Sequence, residues 1–226
     1  MRHVCYREPE TPHRRRRLAF DSVLASLAGD RFSDCRVNAG PLSFGGLRLL
    51  GSGVCLINIR LERPGDVAEV RAINEGAFEQ PAEANIVDKL RRGCPDSLSL
   101  VAQDGRDVVG HILFSPVVVE TSGRRVTGMG LAPMAVLPDR QRQGIGTRLV
   151  KRGLEILHER GCPYVVVLGH PDYYPRFGFQ RASNHGLSSQ WEGVPDEAFM
   201  VLILDGNAMT GISGVDRYRD EFNDAM

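Results

Sequence analysis

The sequence lacks any apolar run long enough to cross a bilayer, which excludes a membrane-spanning helix. It lacks net charge as well: 28 basic and 28 acidic residues cancel, which removes the whole-chain electrostatic case for nucleic acid. Cysteine is sparse and unpaired in pattern. Cys5, Cys35, Cys55, Cys94 and Cys162 are odd in number, widely spaced and without a Cys-x-x-Cys pair, which argues against a zinc ribbon or a dithiol redox motif. They read as reduced thiols of a cytoplasmic protein. The six histidines never gather with cysteines at metal-ligand spacing, so no metal is expected. Both G-x-x-x-x-G-K-[ST] and G-x-G-x-x-G are missing, which leaves no support for a nucleoside-triphosphate loop and little for a dinucleotide fold. Aromatics are few; Phe177, Phe179 and the single Trp191 read as core or pocket wall instead of a base-stacking platform.

Within the zero net charge there is an asymmetry. Residues 1–55 carry 9 Arg against 5 acidic residues, and the remainder is acidic by the same margin. That head has no sustained periodicity and contains Pro9, Pro12, Pro41 and the run Arg14-Arg15-Arg16-Arg17. Asp21 interrupts the apolar stretch after the run and Asp30 follows it, so export is not expected. Flanking acidic residues favour a solvated, poorly ordered extension over a nucleic-acid arm. The organisation expected is an extension over 1–55, one domain over 56–205 and a C-terminal tail over 206–226.

A strand is expected over Cys55–Leu61, followed by the Arg63-Pro64-Gly65-Asp66 turn with Asp66 as a helix N-cap. Val67, Val70, Ile73, Ala77 and Phe78 recur at helical spacing, and a second helix fits Ala82–Arg92, ended by Gly93 and Pro95. Ser97–Gln103 and Asp107–Glu120 form a hairpin about Asp104-Gly105-Arg106, and Ser122–Arg125 turns the chain into a strand over Val126–Leu137 that stops at Pro138. Gly144–Arg160 carries an apolar stripe of Ile145, Leu149, Ile156 and Leu157, with Gly161 as its C-cap. Tyr164–Leu168 is short and wholly apolar, as a buried parallel strand would be. A helical turn over His170–Arg176 and strands over Phe179–Ala182 and Ala198–Leu204 complete the domain.

A strand ending at Pro138, a polar turn, and a helix opening at Gly144-Ile145-Gly146 together suit a diphosphate. The first N–H groups of a helix lack internal partners and sit at the positive end of its dipole. Glycine removes the Cβ atoms that would hold a phosphate away, and Arg140 and Arg142 can add charge at the rim. Two glycines alone are equally compatible with an ordinary helix start.

The stretch Leu131–Gly146, with Val136-Leu137-Pro138 before Gln141-Arg142-Gln143-Gly144-Ile145-Gly146, resembles motif A of the GNAT acetyltransferases. Tyr174-Pro175-Arg176-Phe177-Gly178-Phe179 resembles the family's Y-x-x-x-G-F element, and with Leu168-Gly169-His170-Pro171 it looks most like the bacterial YhbS-type branch. The likeness covers about Ile57 to Leu204. It implies the GNAT fold, an α/β (α+β) architecture with a mixed central sheet of six to seven strands, flanking helices, and strands 4 and 5 parallel and splayed. It implies an N-acyltransferase that uses acetyl-CoA to acetylate a primary amine of a small molecule or a protein. Backbone groups of Met134, Ala135 and Val136 would bond the pantetheine arm, and amides of Arg142, Gln143, Gly144, Ile145, Gly146 and Thr147 would hold the pyrophosphate. Tyr174 would protonate the departing thiolate. The base stays open among residues such as Glu75, Glu79 and Glu120. Tyr173 and His170 are near the same place, and His111 reads as structural. The acceptor pocket is expected around Asp66–Pro95 and Trp191–Glu197, where no motif constrains it, and edge strands near the C-terminus allow a homodimer. A non-catalytic acyl-CoA sensor is the competing reading.

Overall fold

Alternating and continuous apolar runs build one mixed sheet in the computed structural model, which describes residues 57–121 and 123–223. The expected extension over 1–55, with its arginine run and Cys5, Cys35 and Cys55, lies outside the described residues, as does Ser122. The strands are β1 (Asn58–Leu61), β2 (Leu98–Asp104), β3 (Asp107–Thr121), β4 (Arg124–Val136), β5 (Tyr164–Leu168), β6 (Gln180–Arg181), β7 (Leu187–Ser189), β8 (Phe199–Ile203) and β9 (Gly214–Arg217). Seven follow the path β1-β2-β3-β4-β5-β8-β6, while β9 joins β3 and β7 joins β9. The β2–β3 hairpin closes at Gly105, whose φ of 60° fits the glycine there. Along the main path only β4 and β5 run parallel, and Tyr164–Val167 of β5 are buried, as their uninterrupted apolar sequence requires.

Two cores lie against the two faces of this sheet. Helix α1 (Val67–Phe78) and helix α2 (Ala82–Gly93) set Val70, Ile73 and Leu90 against Val101, Leu113, Val117 and Val166. Helix α3 (Ile145–Glu159) sets Ile145, Leu149 and Leu157 against Leu100, Ile112, Phe114 and Val165 on the other face, with Ile156 at the rim. The segment after Asp205 is folded through residue 223: a short helix α4 (Gly206–Met209) leads into β9, and Tyr218 and Phe222 complete the α1-side core.

Asp66 stands at the N-cap position of α1 but does not cap it. A 3-10 turn over Pro64–Asp66 points its carboxylate backwards, where it accepts the Arg63 amide at 2.7 Å and the Arg60 guanidinium at 2.6 and 2.9 Å. The carboxyl is held below its ordinary pKa by Arg60.

His111 is buried in β3 and joins a directional chain. Asn74 Nδ2 donates to the Val70 carbonyl at 2.8 Å and to His111 Nδ1 at 3.1 Å, which leaves Nε2 to carry the ring proton toward Ser99 Oγ at 3.0 Å. Ser99 donates in turn to Glu62, which Arg91 neutralises at 2.7 Å. Burial first, and the Arg91 charge second, lower the His111 pKa to about 3. The unfolded chain therefore binds a proton that the fold refuses, and stability falls with pH between the two values by about 1.4 kcal/mol per unit. Melting followed from about pH 6.5 down to about pH 4 should show this loss. The His111→Gln variant should have a slope shallower by one proton; an unchanged slope would assign the acid sensitivity elsewhere.

Candidate active site at the splayed strands

The β4–β5 ladder ends at Leu131 opposite Val167, while β4 continues to Val136 paired only with β3. The separation begins at a bulge. Leu131 pairs with Phe114 and Met134 with Ile112, so Ala132 and Pro133 together oppose Leu113. A bulge bends its strand, and Pro133 has no amide to offer a further ladder. Met134, Ala135 and Val136 thus keep one edge on β3 and turn the other to the gap. Met134 and Ala135 are buried, and Val136 is half-buried.

Beyond β4, Pro138–Arg140 makes a 3-10 turn and the chain reaches α3 through two left-handed residues, Arg142 (φ 61°) and Gly144 (φ 77°). Gly144 is the N-cap and no side chain caps this end. Arg148 N–H to Gly144 C=O, at 3.1 Å, opens the helix ladder, so the amides of Ile145, Gly146 and Thr147 precede it. Gln141 Nε2 on the Val136 carbonyl (3.2 Å) and Gln143 Nε2 on the Asp139 carbonyl (3.3 Å) brace the turn. Arg142 is exposed beside it. Arg140, expected at the rim, is instead drawn to the Asp104 carboxylate at the β2–β3 hairpin.

Tyr174 opens a 3-10 turn over Tyr174–Phe177, just beyond the end of β5. It is 2% exposed and sits edge-on to Tyr173 at 5.1 Å and to Phe179 at 5.7 Å. Burial drives its phenol well above the ordinary tyrosine range. The ring occupies the space over Gly169, where a Cβ would come within 2.3 Å of it. Tyr173 reaches the other way: a Cβ on Gly146 would lie 2.9 Å from its hydroxyl and 3.6 Å from the Met134 sulfur. The Arg176 guanidinium lies 4.0 Å over the Tyr173 ring and its Nε donates to the Tyr173 carbonyl at 2.8 Å. The fold thus brings Met134, Gly146, Tyr173 and Tyr174 together from three distant stretches of chain.

The acidic residues named from sequence are not part of this gathering. Glu75 is half-exposed and paired with Arg71 at 2.8 Å, Glu79 is exposed at the end of α1, and Glu120 is exposed opposite Arg125, near the far end of β3. His170 Nδ1 accepts the Asp172 amide at 3.3 Å. Sequence reasoning missed Asp216 and Tyr218, both buried on or next to β9, because no motif marks a segment read as tail. Among the described residues no three His, Cys, Asp or Glu side chains gather to hold a metal, and no helix is long and apolar enough to cross a membrane.

Comparison with known proteins agrees with this geometry. The acetyltransferase (GNAT) domain family matches residues 58–182, more than half of the chain. The uncharacterized N-acetyltransferase YhbS of Escherichia coli is 40% identical over 166 residues, which span 73% of this chain and 98% of YhbS. Its crystal structure in complex with CoA superimposes with a TM-score of 0.69 at 39% identity, covering 74% of this chain and 92% of that one. A GNAT acetyltransferase from Brucella melitensis in complex with acetyl-CoA gives 0.62 at 36% identity, covering 74% and 99%. With the mixed sheet, the parallel β4–β5 pair and the helix-opening glycine turn in place, the chain belongs to the GNAT family of N-acetyltransferases.

Proposed function

We propose that this protein transfers the acetyl group of acetyl-CoA to a primary amine of a small molecule or a protein, with Tyr174 as the general acid. The observation that carries the reading is the gap that begins at Leu131, flanked by an uncapped helix N-terminus on one side and a buried phenol on the other. The donor class fits this geometry. Amides of Arg142 to Thr147 take the pyrophosphate, with Gly146 leaving the close approach open, and the free edge of Met134 to Val136 bonds the pantetheine as an added strand would. CoA and acetyl-CoA complexes of the two similar structures support the same donor.

In the transfer, the amine nitrogen attacks the thioester carbon and the C–S bond breaks with its electron pair on sulfur. Tyr174 gives its proton to that sulfur; its raised pKa keeps the proton in place until the thiolate forms. A β4 amide near Val136 meets the developing oxyanion.

The test is thiol release by pure protein with acetyl-CoA and a panel of primary amines, beside calorimetric binding of acetyl-CoA. Release dependent on an amine is expected. Tight binding without release on any amine would favour the sensor reading. Because the phosphate contacts are assigned to backbone, Arg142→Ala and Gln143→Ala should each change the acetyl-CoA Kd by about threefold or less. A loss of about a hundredfold would move the recognition to those side chains.

A further inference from the structure

The turn that leads into α3 has a backbone that needs holding. Arg142 stands in the left-handed region at a φ of 61°, which a side chain disfavours, Gly144 follows at 77°, and no side chain caps the helix. Gln141 and Gln143 brace the segment from within, on the carbonyls of Val136 and Asp139. Two further ties leave it for the sheet. Arg140, just before the left-handed residues, pairs with the Asp104 carboxylate, and Arg148, in the first turn of α3, donates to the Ile57 carbonyl.

Both ties land on one corner. Asn58 of β1 pairs with Gln103 of β2, so Ile57 and Asp104 stand at the next position along. The corner is itself fixed: Arg60 Nε donates to Gln103 Oε1 at 2.6 Å, and Gln103 Nε2 donates to the Gly105 carbonyl at 3.0 Å. The remaining nitrogens of Arg60 hold Asp66 ahead of α1. Arg140 and Arg148, which bracket the glycine turn, are thus anchored to a braced framework. The Asp104–Arg140 pair is an ion pair with side chains 11% and 29% exposed, less open to screening than a surface pair. Charge balance is the competing account, because Asp104 lies opposite Asp107 across the hairpin and like charges so placed repel. Asp107 is exposed, however, so water and salt already weaken that repulsion.

We infer that Asp104 is a positioning residue for the acyl donor: through Arg140 it holds the turn in the conformation that presents the amides of Arg142 to Thr147 to the pyrophosphate. This rests on the pyrophosphate placement proposed above. Asp104 itself acts only through Arg140. A turn released from the corner populates other conformations, and the apparent donor affinity falls in proportion to the fraction of molecules in which the cradle is formed. Service of Arg140 as a direct phosphate ligand predicts the reverse for Asp104, whose neutralisation would free the guanidinium and tighten binding.

The experiment measures the Kd of acetyl-CoA and of S-acetylpantetheine, which has neither pyrophosphate nor nucleotide, by calorimetry without an acceptor amine. The proteins are the wild type, Asp104→Asn, Asp104→Glu, Arg140→Gln and the Asp104→Asn, Arg140→Gln double variant, with melting to confirm the fold. Asp104→Asn and Arg140→Gln should each raise the acetyl-CoA Kd by about tenfold and leave that of S-acetylpantetheine within about twofold. The double variant should be no weaker than either single one, since both break the same tie. Asp104→Glu, which keeps the charge, should recover most of the affinity. If Asp104→Asn melts below the assay temperature, Arg140→Gln decides by the same comparison of donors. Unchanged or tighter acetyl-CoA binding by Asp104→Asn overturns the inference, as do equal losses for the two ligands, which would mark general damage to the fold. A wild type that binds S-acetylpantetheine as tightly as acetyl-CoA overturns the pyrophosphate placement as well.

Discussion

Tyr174→Phe is expected to slow acetyl transfer by about a hundredfold while leaving acetyl-CoA affinity unchanged. The change removes one hydroxyl and keeps the ring. The edge contacts with Tyr173 and Phe179 and the packing over Gly169 survive, so the pocket shape and the glycine turn should persist. What is lost is a proton held ready for a leaving thiolate. Because burial places the phenol above the ordinary tyrosine range, the folded enzyme keeps that proton throughout neutral pH, and the loss should be pH-independent there. Single-turnover thiol release separates this step from binding and product departure. A variant that releases thiol at the wild-type rate would show that another group, or water, protonates the sulfur.

Much of the architecture is legible in the residues because local chemistry and tertiary packing agree. Asp104-Gly105-Arg106 turns where a hairpin turn is expected, Tyr164–Leu168 pairs parallel as a wholly apolar strand should, and Gly161 (φ 71°) ends the helix after Glu159. The seven strands on the main path match the six to seven that the family resemblance implies. Where reading fails, a longer-range interaction wins. Asp66 has the right residue type and place for a cap, yet Arg60, six residues back, offers a charged partner stronger than a backbone amide. Beyond Asp205 the signal is too short: Gly214–Arg217 holds Val215 exposed and Asp216 buried, the reverse of an apolar-in pattern, because Tyr164 waits inside for the carboxylate.

The candidate site was legible in halves. Motif spacing finds a glycine turn and a tyrosine without revealing that Tyr173 packs its hydroxyl against Gly146, since those residues are 27 apart in sequence and meet only across the end of β4. Burial was illegible for a different reason. An exposed acidic residue and a buried one look alike in sequence, and burial is what lifts the Asp216 carboxyl to about 6.

Gly146→Trp should abolish measurable acetyl-CoA binding, whereas Gly144→Ala should cost about tenfold or less, and the contrast tests how the turn works. The two glycines differ in what they supply. Nothing lies within 4 Å of a Cβ on Gly144, so its role is its φ of 77°, and an L residue there loses about 1–2 kcal/mol to left-handed backbone without obstructing a ligand. Gly146 instead supplies space. Its missing Cβ is bounded by the Tyr173 hydroxyl at 2.9 Å and the Met134 thioether at 3.6 Å, so an indole has no room inward and must project over the amides that open α3. Tyr173 cannot easily yield, because Arg176 holds its carbonyl and covers its ring. Gly146→Ala provides the milder step, pressing Tyr173 by a few tenths of an ångström without filling the cradle, and should weaken binding far less than the tryptophan. Calorimetry on all three variants, with melting to confirm the fold, gives the order Gly146→Trp, then Gly146→Ala and Gly144→Ala. Equal losses at 144 and 146 would mean that the turn's conformation, and not close approach to its amides, is what holds the phosphates.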